Sequence, residues 1–218
     1  MPRLQLLDLP RRGNEMGKFD YKKELKELYF PPAGHPVLVK VPKMNFLQVD
    51  GEGDPNTSQA FQEALEALYG VAYTVKFMLK KQGGGADYAV PPLEGLWYAD
   101  DPRQFLEARK EEWRWTVMIM QPHWVTKADV AEATRQLREK KDLAALEKMR
   151  FKAFSEGKSA QVMHVGPFSA EGPTIQLLLD FIEENGLKPR GHHHEIYMSD
   201  FRRTDPAKLK TVIRHPVA

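Results

Sequence analysis

Gln161-Val162-Met163-His164-Val165-Gly166-Pro167 reads as a strand running into a turn, and the order of elements after that turn decides the fold. Residues 174–185 place Ile175, Leu178, Leu179 and Ile182 on one helical face, and Gly186 closes that helix. Two further strands come next at 193–199 and 209–215, joined by residues 200–207. The order is β-α-β-β. Upstream the same order recurs: Met44-Asn45-Phe46-Leu47-Gln48-Val49 is the strand, Asp50-Gly51-Glu52-Gly53-Asp54-Pro55 the turn, and Phe61, Leu65, Leu68, Ala72, Val75 and Leu79 the helix stripe. Asn56, Thr57 or Ser58 can cap that helix, and Gly83-Gly84-Gly85 ends it. Residues 88–98 and 113–121 supply the last two strands of this first copy, separated by Asp100-Asp101-Pro102 and a short helix at 103–111.

The fold class is therefore α+β, built from duplicated β-α-β-β modules at about 42–121 and 159–217. One helix covers one face of a small sheet, so the remaining faces are expected to meet across a pseudo-two-fold axis and leave a ligand groove between them. A charged helical connection at about 126–149, with Val130, Leu137, Leu143 and Leu146 for packing and a bend near Lys141-Asp142, joins the copies. A short helix at 21–29 precedes them and stops at Phe30-Pro31-Pro32, after which a loop is expected. Residues 1–15 read as a loose extension and 16–218 as the domain, with Met16 a second possible start.

Composition narrows the chemistry. The chain of 218 residues carries 32 Lys+Arg against 30 Asp+Glu, a net charge of +2 that gives no general attraction to phosphate backbones or anionic lipid. With 42% hydrophobic residues it is too apolar to be disordered. The absence of cysteine excludes disulfides, thiolate nucleophiles and zinc ribbons. The early run Leu4-Gln5-Leu6-Leu7-Asp8-Leu9 is neither a secretory core nor a membrane span, so a cytoplasmic protein is expected, without membrane association. The oligomeric state is not legible.

Three groups of residues now carry a resemblance. His164-Val165-Gly166-Pro167-Phe168, Phe181-Ile182-Glu183-Glu184-Asn185-Gly186 and His193-His194-Glu195-Ile196-Tyr197-Met198-Ser199-Asp200, with Arg202-Arg203 and Lys208-Leu209-Lys210-Thr211 behind them, resemble the GyrI-like small-molecule-binding family. Residues 87–97 and 146–151 are similar to its stand-alone subgroup, so the likeness runs from about Met16 to the end. The resemblance implies an aromatic-lined pocket between the halves. Its relatives include drug-sensing effector domains of transcription regulators, a gyrase-inhibitor-binding protein and cyclopropanoid cyclopropyl hydrolases that open cyclopropane-bearing genotoxins. No helix-turn-helix sequence is evident, so direct nucleic-acid binding is not expected and a sensor role requires a separate DNA-binding partner.

Within 193–199, alternate residues share a face. The pair Ile196/Met198 suits the helix-covered core, which points Glu195 and Tyr197 into the groove. The matching glutamate of the regulators sits in the drug pocket. Glu195 is thus the first candidate for a catalytic or cation-binding carboxylate, with a solvated cross-strand pair as the alternative. Glu94 occupies the corresponding region of the first copy. Glu94, Leu96 and Tyr98 share one face and Leu93, Gly95 and Trp97 the other, and which of them lines the groove is left open by the sequence. If the stand-alone subgroup's chemistry carries over, Glu195 or Glu94 activates a water and Tyr197 or Tyr98 donates to the carbonyl on which charge develops.

Trp97, Tyr98, Trp113, Trp115 and Trp124 are candidate walls for a planar or cationic ligand, together with Phe46, Met118 and His164. Core filling is the alternative for each. His192-His193-His194 lacks a third converging ligand, so no metal and no cofactor is expected. Three readings stand side by side: a binder of drug-like molecules, a hydrolase of strained electrophiles, and a non-enzymatic interaction protein such as a gyrase-inhibitor-type modulator.

Overall fold

Eight antiparallel strands form one curled sheet in a computed structural model that describes residues 18–82, 87–98 and 110–218. The strands are β1 (Val37–Val41), β2 (Met44–Glu52), β3 (Leu93–Tyr98), β4 (Arg114–Gln121), β5 (Arg150–Phe154), β6 (Gly157–Val165), β7 (His193–Tyr197) and β8 (Lys210–Pro216), in the order β1-β6-β8-β7-β3-β4-β2-β5. Each half repeats β-α-β-β, and the halves join edge to edge where β3 pairs with β7. The outermost strands are exchanged. Val41 lies just ahead of β2, yet β1 pairs with β6, while β5 runs into β6 and pairs with β2.

The helices are α1 (Tyr21–Glu24), α2 (Lys26–Tyr29), α3 (Gln59–Lys81), α4 (Lys127–Arg138), α5 (Ala145–Lys148) and α6 (Gly172–Glu184). Ser58 caps α3, its Oγ accepting from the Phe61 amide at 3.3 Å, and Thr126 and Asp129 close a capping box on α4. The bend in the connection is the break between α4 and α5. The 88–98 segment is strand only from Leu93, because Pro91 and Pro92 offer no ladder amides; Tyr88 makes an isolated bridge to Phe19 instead. Strands β1 and β5 stand where the sequence pattern shows only a loop and the end of the connection. The expectations for residues 1–15, Gly83-Gly84-Gly85, Asp100-Asp101-Pro102 and most of 103–111 fall outside the described residues; Lys110–Glu112 is a 3-10 turn.

Three cores fix which face is which. Leu47, Val49, Leu93, Trp97, Trp115, Val117 and Ile119 pack against α3, α4 and α5. Ala160, Val162 and Ile213 pack against Ile175, Leu178 and Ile182 of α6. Phe46, Leu96, Met118, Met120, Met163, Ile196 and Val212 project from the opposite face and are covered by Phe19, Tyr21, Leu25, Leu28 and Tyr29. This corrects two expectations. Ile196 and Met198 lie under the amino-terminal helices rather than under α3 or α6, and the modules meet at a strand edge, with Glu195 and Tyr197 on the face that bears α3 and α6. The physical reason is that α1 and α2 supply the second cover that the sequence pattern alone assigns to the partner module.

Candidate functional site

On that α3/α6 face the alternation of β7 presents His193, Glu195 and Tyr197 in one row. The Glu195 carboxylate accepts from Tyr197 Oη at 2.8 Å through Oε2, and its Oε1 lies 3.0 Å from His193 Nε2. Trp97, opposite His193 on β3, donates Nε1–H to Tyr197 Oη at 3.1 Å. Gly95 makes this crossing possible: a Cβ there would stand 2.8 Å from Trp97 Nε1 and 3.2 Å from Tyr197 Oη. On the other side His193 Nδ1 is 3.1 Å from His215 Nε2, and burial pushes His215 down to about 3, leaving it neutral. Burial works against an ionised Glu195, but the hydrogen bonds from His193 and Tyr197 outweigh it and hold the carboxyl below its ordinary value.

Glu171, at the start of α6, escapes the sequence pattern. It is 5% exposed, and its Oε1 has no hydrogen-bond partner among the described residues. Burial, then the charge of Glu195, pushes it up to about 9. Its only sequence signal is a glutamate directly ahead of the Gly172-Pro173 helix start, in a turn otherwise read for its backbone geometry.

Through Tyr197 this row reaches a groove of about 800 Å³, lined by Leu65, Tyr69 and Tyr73 of α3, by residues 90–93, and by residues 197–202 from the end of β7 onward. Its aromatics are ordered by one another. Tyr69 and Tyr73 stack one helical turn apart at 6.3 Å, and Phe168, outside that lining, meets Tyr197 at 5.7 Å and Phe201 at 6.1 Å, both edge to face. Phe168 is 41% and Tyr73 45% exposed, so apolar surface faces solvent where a planar ligand can cover it.

The remaining candidates divide between the two faces. Trp97 belongs to the site and Trp113 packs edge to face on it at 5.6 Å. Trp115 is buried core against Phe61. His164 is on the site's face, one register step from Tyr197 across Thr211, with Nδ1 2.9 Å from Thr174 Oγ1. Tyr98 stacks on His192 at 4.2 Å, and Phe46, Met118 and Trp124 fill the opposite core around Phe154, Phe19, Tyr21 and Tyr88. The structure does not bring these four to Glu195.

Glu94 is also on the opposite face, because it pairs with Ile196 while Gly95 pairs with Glu195. Fully buried, it places Oε2 3.0 Å from His194 Nε2, and His194 Nδ1 is 3.0 Å from Glu156, which in turn accepts from Arg214 Nη1 at 3.1 Å. Arg214 Nη2 and Gln161 Nε2 donate to the carbonyls of Leu28 and Glu27 at 2.8 and 2.6 Å. Glu94 therefore works in a network that fastens α2 to the sheet and does not share a pocket with Glu195. Tyr197 lines the groove, and its hydroxyl donates to Glu195 and so orients that carboxylate.

The model of the GyrI-like small molecule binding domain matches residues 35–218. A crystal structure of an uncharacterized conserved protein from Listeria innocua is 40% identical over 92% of this chain and 100% of that one, with a TM-score of 0.84. A second Listeria innocua structure, described as a hydrolase, is 39% identical over 93% and 100%, with a TM-score of 0.81. The C-terminal domain of EcmrR shares the fold at 12% identity, over 84% of this chain and 97% of that one, with a TM-score of 0.51. None of the curated proteins matches the chain. Among the described residues no helix is long and apolar enough to cross a membrane.

Proposed function

Because the chain belongs to the GyrI-like small molecule binding domain family, we propose that its groove takes planar aromatic, drug-like molecules and that Glu195 activates water against those carrying a strained electrophilic ring. The observation that carries this reading is the row Trp97–Tyr197–Glu195–His193, a hydrogen-bonded carboxylate joined through Tyr197 to a groove with aromatic walls. Likeness to a protein described as a hydrolase, over nearly the whole of both chains, supports the catalytic half.

In the reaction, a ligand stacked on the Tyr69 and Tyr73 side of the groove presents a cyclopropane fused to a dienone. A water oxygen bonds to the ring CH₂ while the strained C–C bond breaks. Its electron pair moves into the dienone, which becomes a phenolate and takes a proton to end as a phenol. The proton lost by water passes to Glu195. Two hydrogen bonds make Glu195 a mild base, which suffices where release of ring strain and aromatisation supply most of the driving force. Tyr197 and His193 hold the carboxylate in place, and Trp97 holds Tyr197.

The test is hydrolysis of a cyclopropane-bearing dienone, monitored by absorbance, with wild type and Glu195→Gln. The variant keeps the shape of the side chain and loses the base. Turnover is expected to fall by roughly 10²-fold or more with ligand binding retained. Absence of turnover in wild type with tight binding leaves only the binding role; full activity in Glu195→Gln removes this carboxylate from the chemistry.

A further inference from the structure

The run His192-His193-His194 gives each ring a different partner: His192 stacks on Tyr98, His194 joins Glu94 and Glu156, and His193 stands between Glu195 and His215. Of the three, His193 is the one on the proposed base. Its Nε2 is 3.0 Å from Glu195 Oε1 and its Nδ1 is 3.1 Å from His215 Nε2, so both ring nitrogens are engaged in a side chain that is 3% exposed. Where the proton sits on this ring decides what Glu195 is. An imidazole protonated at Nε2 donates to the carboxylate and leaves Nδ1 as an acceptor; one protonated at Nδ1 turns a lone pair toward Oε1, and that contact closes only if Glu195 holds a proton of its own. In the second arrangement the base is lost.

His215 lies on β8 two residues beyond Ile213, which is opposite Glu195, and strand alternation puts it on the same face as His193. The two rings cross at 61° with centroids 5.1 Å apart, so they meet through their nitrogens and do not stack. That contact needs one proton between Nδ1 and Nε2. Burial leaves His215 neutral, with a single ring proton to place, and on Nε2 that proton satisfies His193 Nδ1. We propose that His215 is a positioning residue that donates Nε2–H to His193 Nδ1, fixes His193 as the Nε2–H tautomer and thereby keeps Glu195 an ionised, aimed base. This rests on the reading of Glu195 given above, and it adds a residue that lies outside the lining of the groove. His215 acts through His193, as the group behind a catalytic imidazole sets its tautomer and orientation.

The experiment reads tautomers and turnover together. Long-range proton–nitrogen NMR spectra of isotope-labelled protein at about pH 8, where an unpaired imidazole is neutral, separate a protonated ring nitrogen from an unprotonated one, and His193→Gln assigns the His193 signals. The expected wild-type pattern is a proton on Nε2 of both His193 and His215. His215→Leu removes the donor, and it should move the His193 proton to Nδ1 and lower kcat on the cyclopropane-bearing dienone by roughly tenfold or more with KM little changed. His215→Gln, whose amide N–H reaches the position of Nε2, should retain the wild-type tautomer and turnover. In a His193→Gln background, where an amide donates to Glu195 without tautomers, His215→Leu should cost nothing further. A wild-type His193 protonated at Nδ1 overturns the proposal, and the wild-type spectrum decides this even if His215→Leu does not fold. An equal loss from His215→Leu in both backgrounds also overturns it, because the loss is then merely structural. Absence of turnover in wild type overturns the catalytic reading and the role of the pair in it, while the tautomer pattern decides separately whether His215 sets His193.

Discussion

Gly95 shows how much of the site rests on one missing side chain. Trp97 and Tyr197 come from different strands, and their hydrogen bond passes over Gly95, where an added Cβ would meet the indole nitrogen at 2.8 Å. Gly95→Ala is expected to displace the indole, release Tyr197 from its donor and weaken both ligand quenching of tryptophan fluorescence and turnover. The strain in stability is about 1–3 kcal/mol, as for other overpacked interiors, and is read from chemical denaturation. Unchanged quenching and unchanged stability would separate Trp97 from the site. The residue level was partly legible: alternation along 193–199 puts Glu195 and Tyr197 together from sequence alone. It was silent on Glu171, whose burial at the start of α6 comes only from the packing of that helix on the sheet.

At the level of elements, β2 and β4 are joined by an unusually close contact. Gly51 is opposite Trp115, and the indole lies where a Gly51 side chain would be, within 2.1 Å of an ideal Cβ. Trp115 is a rigid ring with no exposed end to swing aside. Gly51→Ala is therefore expected to cost about 2 kcal/mol or more, or to fail to accumulate as folded protein, measured by thermal unfolding; a melting temperature equal to wild type would show that the strands can part. On α3 the opposite holds. Tyr73 is exposed and stacks on Tyr69 and Phe77, so Tyr73→Ala should leave the melting temperature nearly unchanged while weakening binding of a planar ligand severalfold. Helical periodicity made α3 and α6 readable, whereas β1 and β5 are short edge strands whose place in the sheet is set by exchange between the halves. Five residues such as Val37-Leu38-Val39-Lys40-Val41 carry too little pattern to declare a strand when the hairpin partner next to them is not the one they use.

For the molecule as a whole, the buried network on the far face predicts a pH optimum of stability. Burial disfavours the His194 cation, but Glu156 and Glu94 outweigh it and raise the group from 6.5 to about 9, so its contribution is complete below about 6.5 and is lost as pH rises through about 9. Burial likewise opposes the Glu156 anion, and His194 and Arg214 bring it down from 4.5 to about 2; its contribution is complete above about 4.5 and is lost as pH falls toward 2. Glu171, raised by burial and by Glu195, subtracts stability as pH rises from 4.5 toward 9, and His215, lowered by burial, subtracts it as pH falls from 6.5 toward 3. Stability should therefore be greatest in mildly acidic solution and fall on both sides, as read from denaturation midpoints across pH. Glu156→Gln should lower stability by about 3–5 kcal/mol, because it leaves His194 and Arg214 buried with reduced compensation, and should flatten the acid limb. The chain's periodicities by themselves determined the duplicated β-α-β-β order, the α+β class and the face shared by Glu195 and Tyr197, because these come from local spacing of apolar residues. Only the tertiary structure decided that Glu94 and Glu195 part to opposite faces, that the clustered tryptophans pack in or against the cores while the groove takes its aromatic lining from Tyr69, Tyr73, Tyr197 and Phe201, and that the outer strands change halves. Each of those depends on which surface a distant segment covers, and residues 19–29, lying over one face of the sheet, leave the other to α3, α6 and the groove.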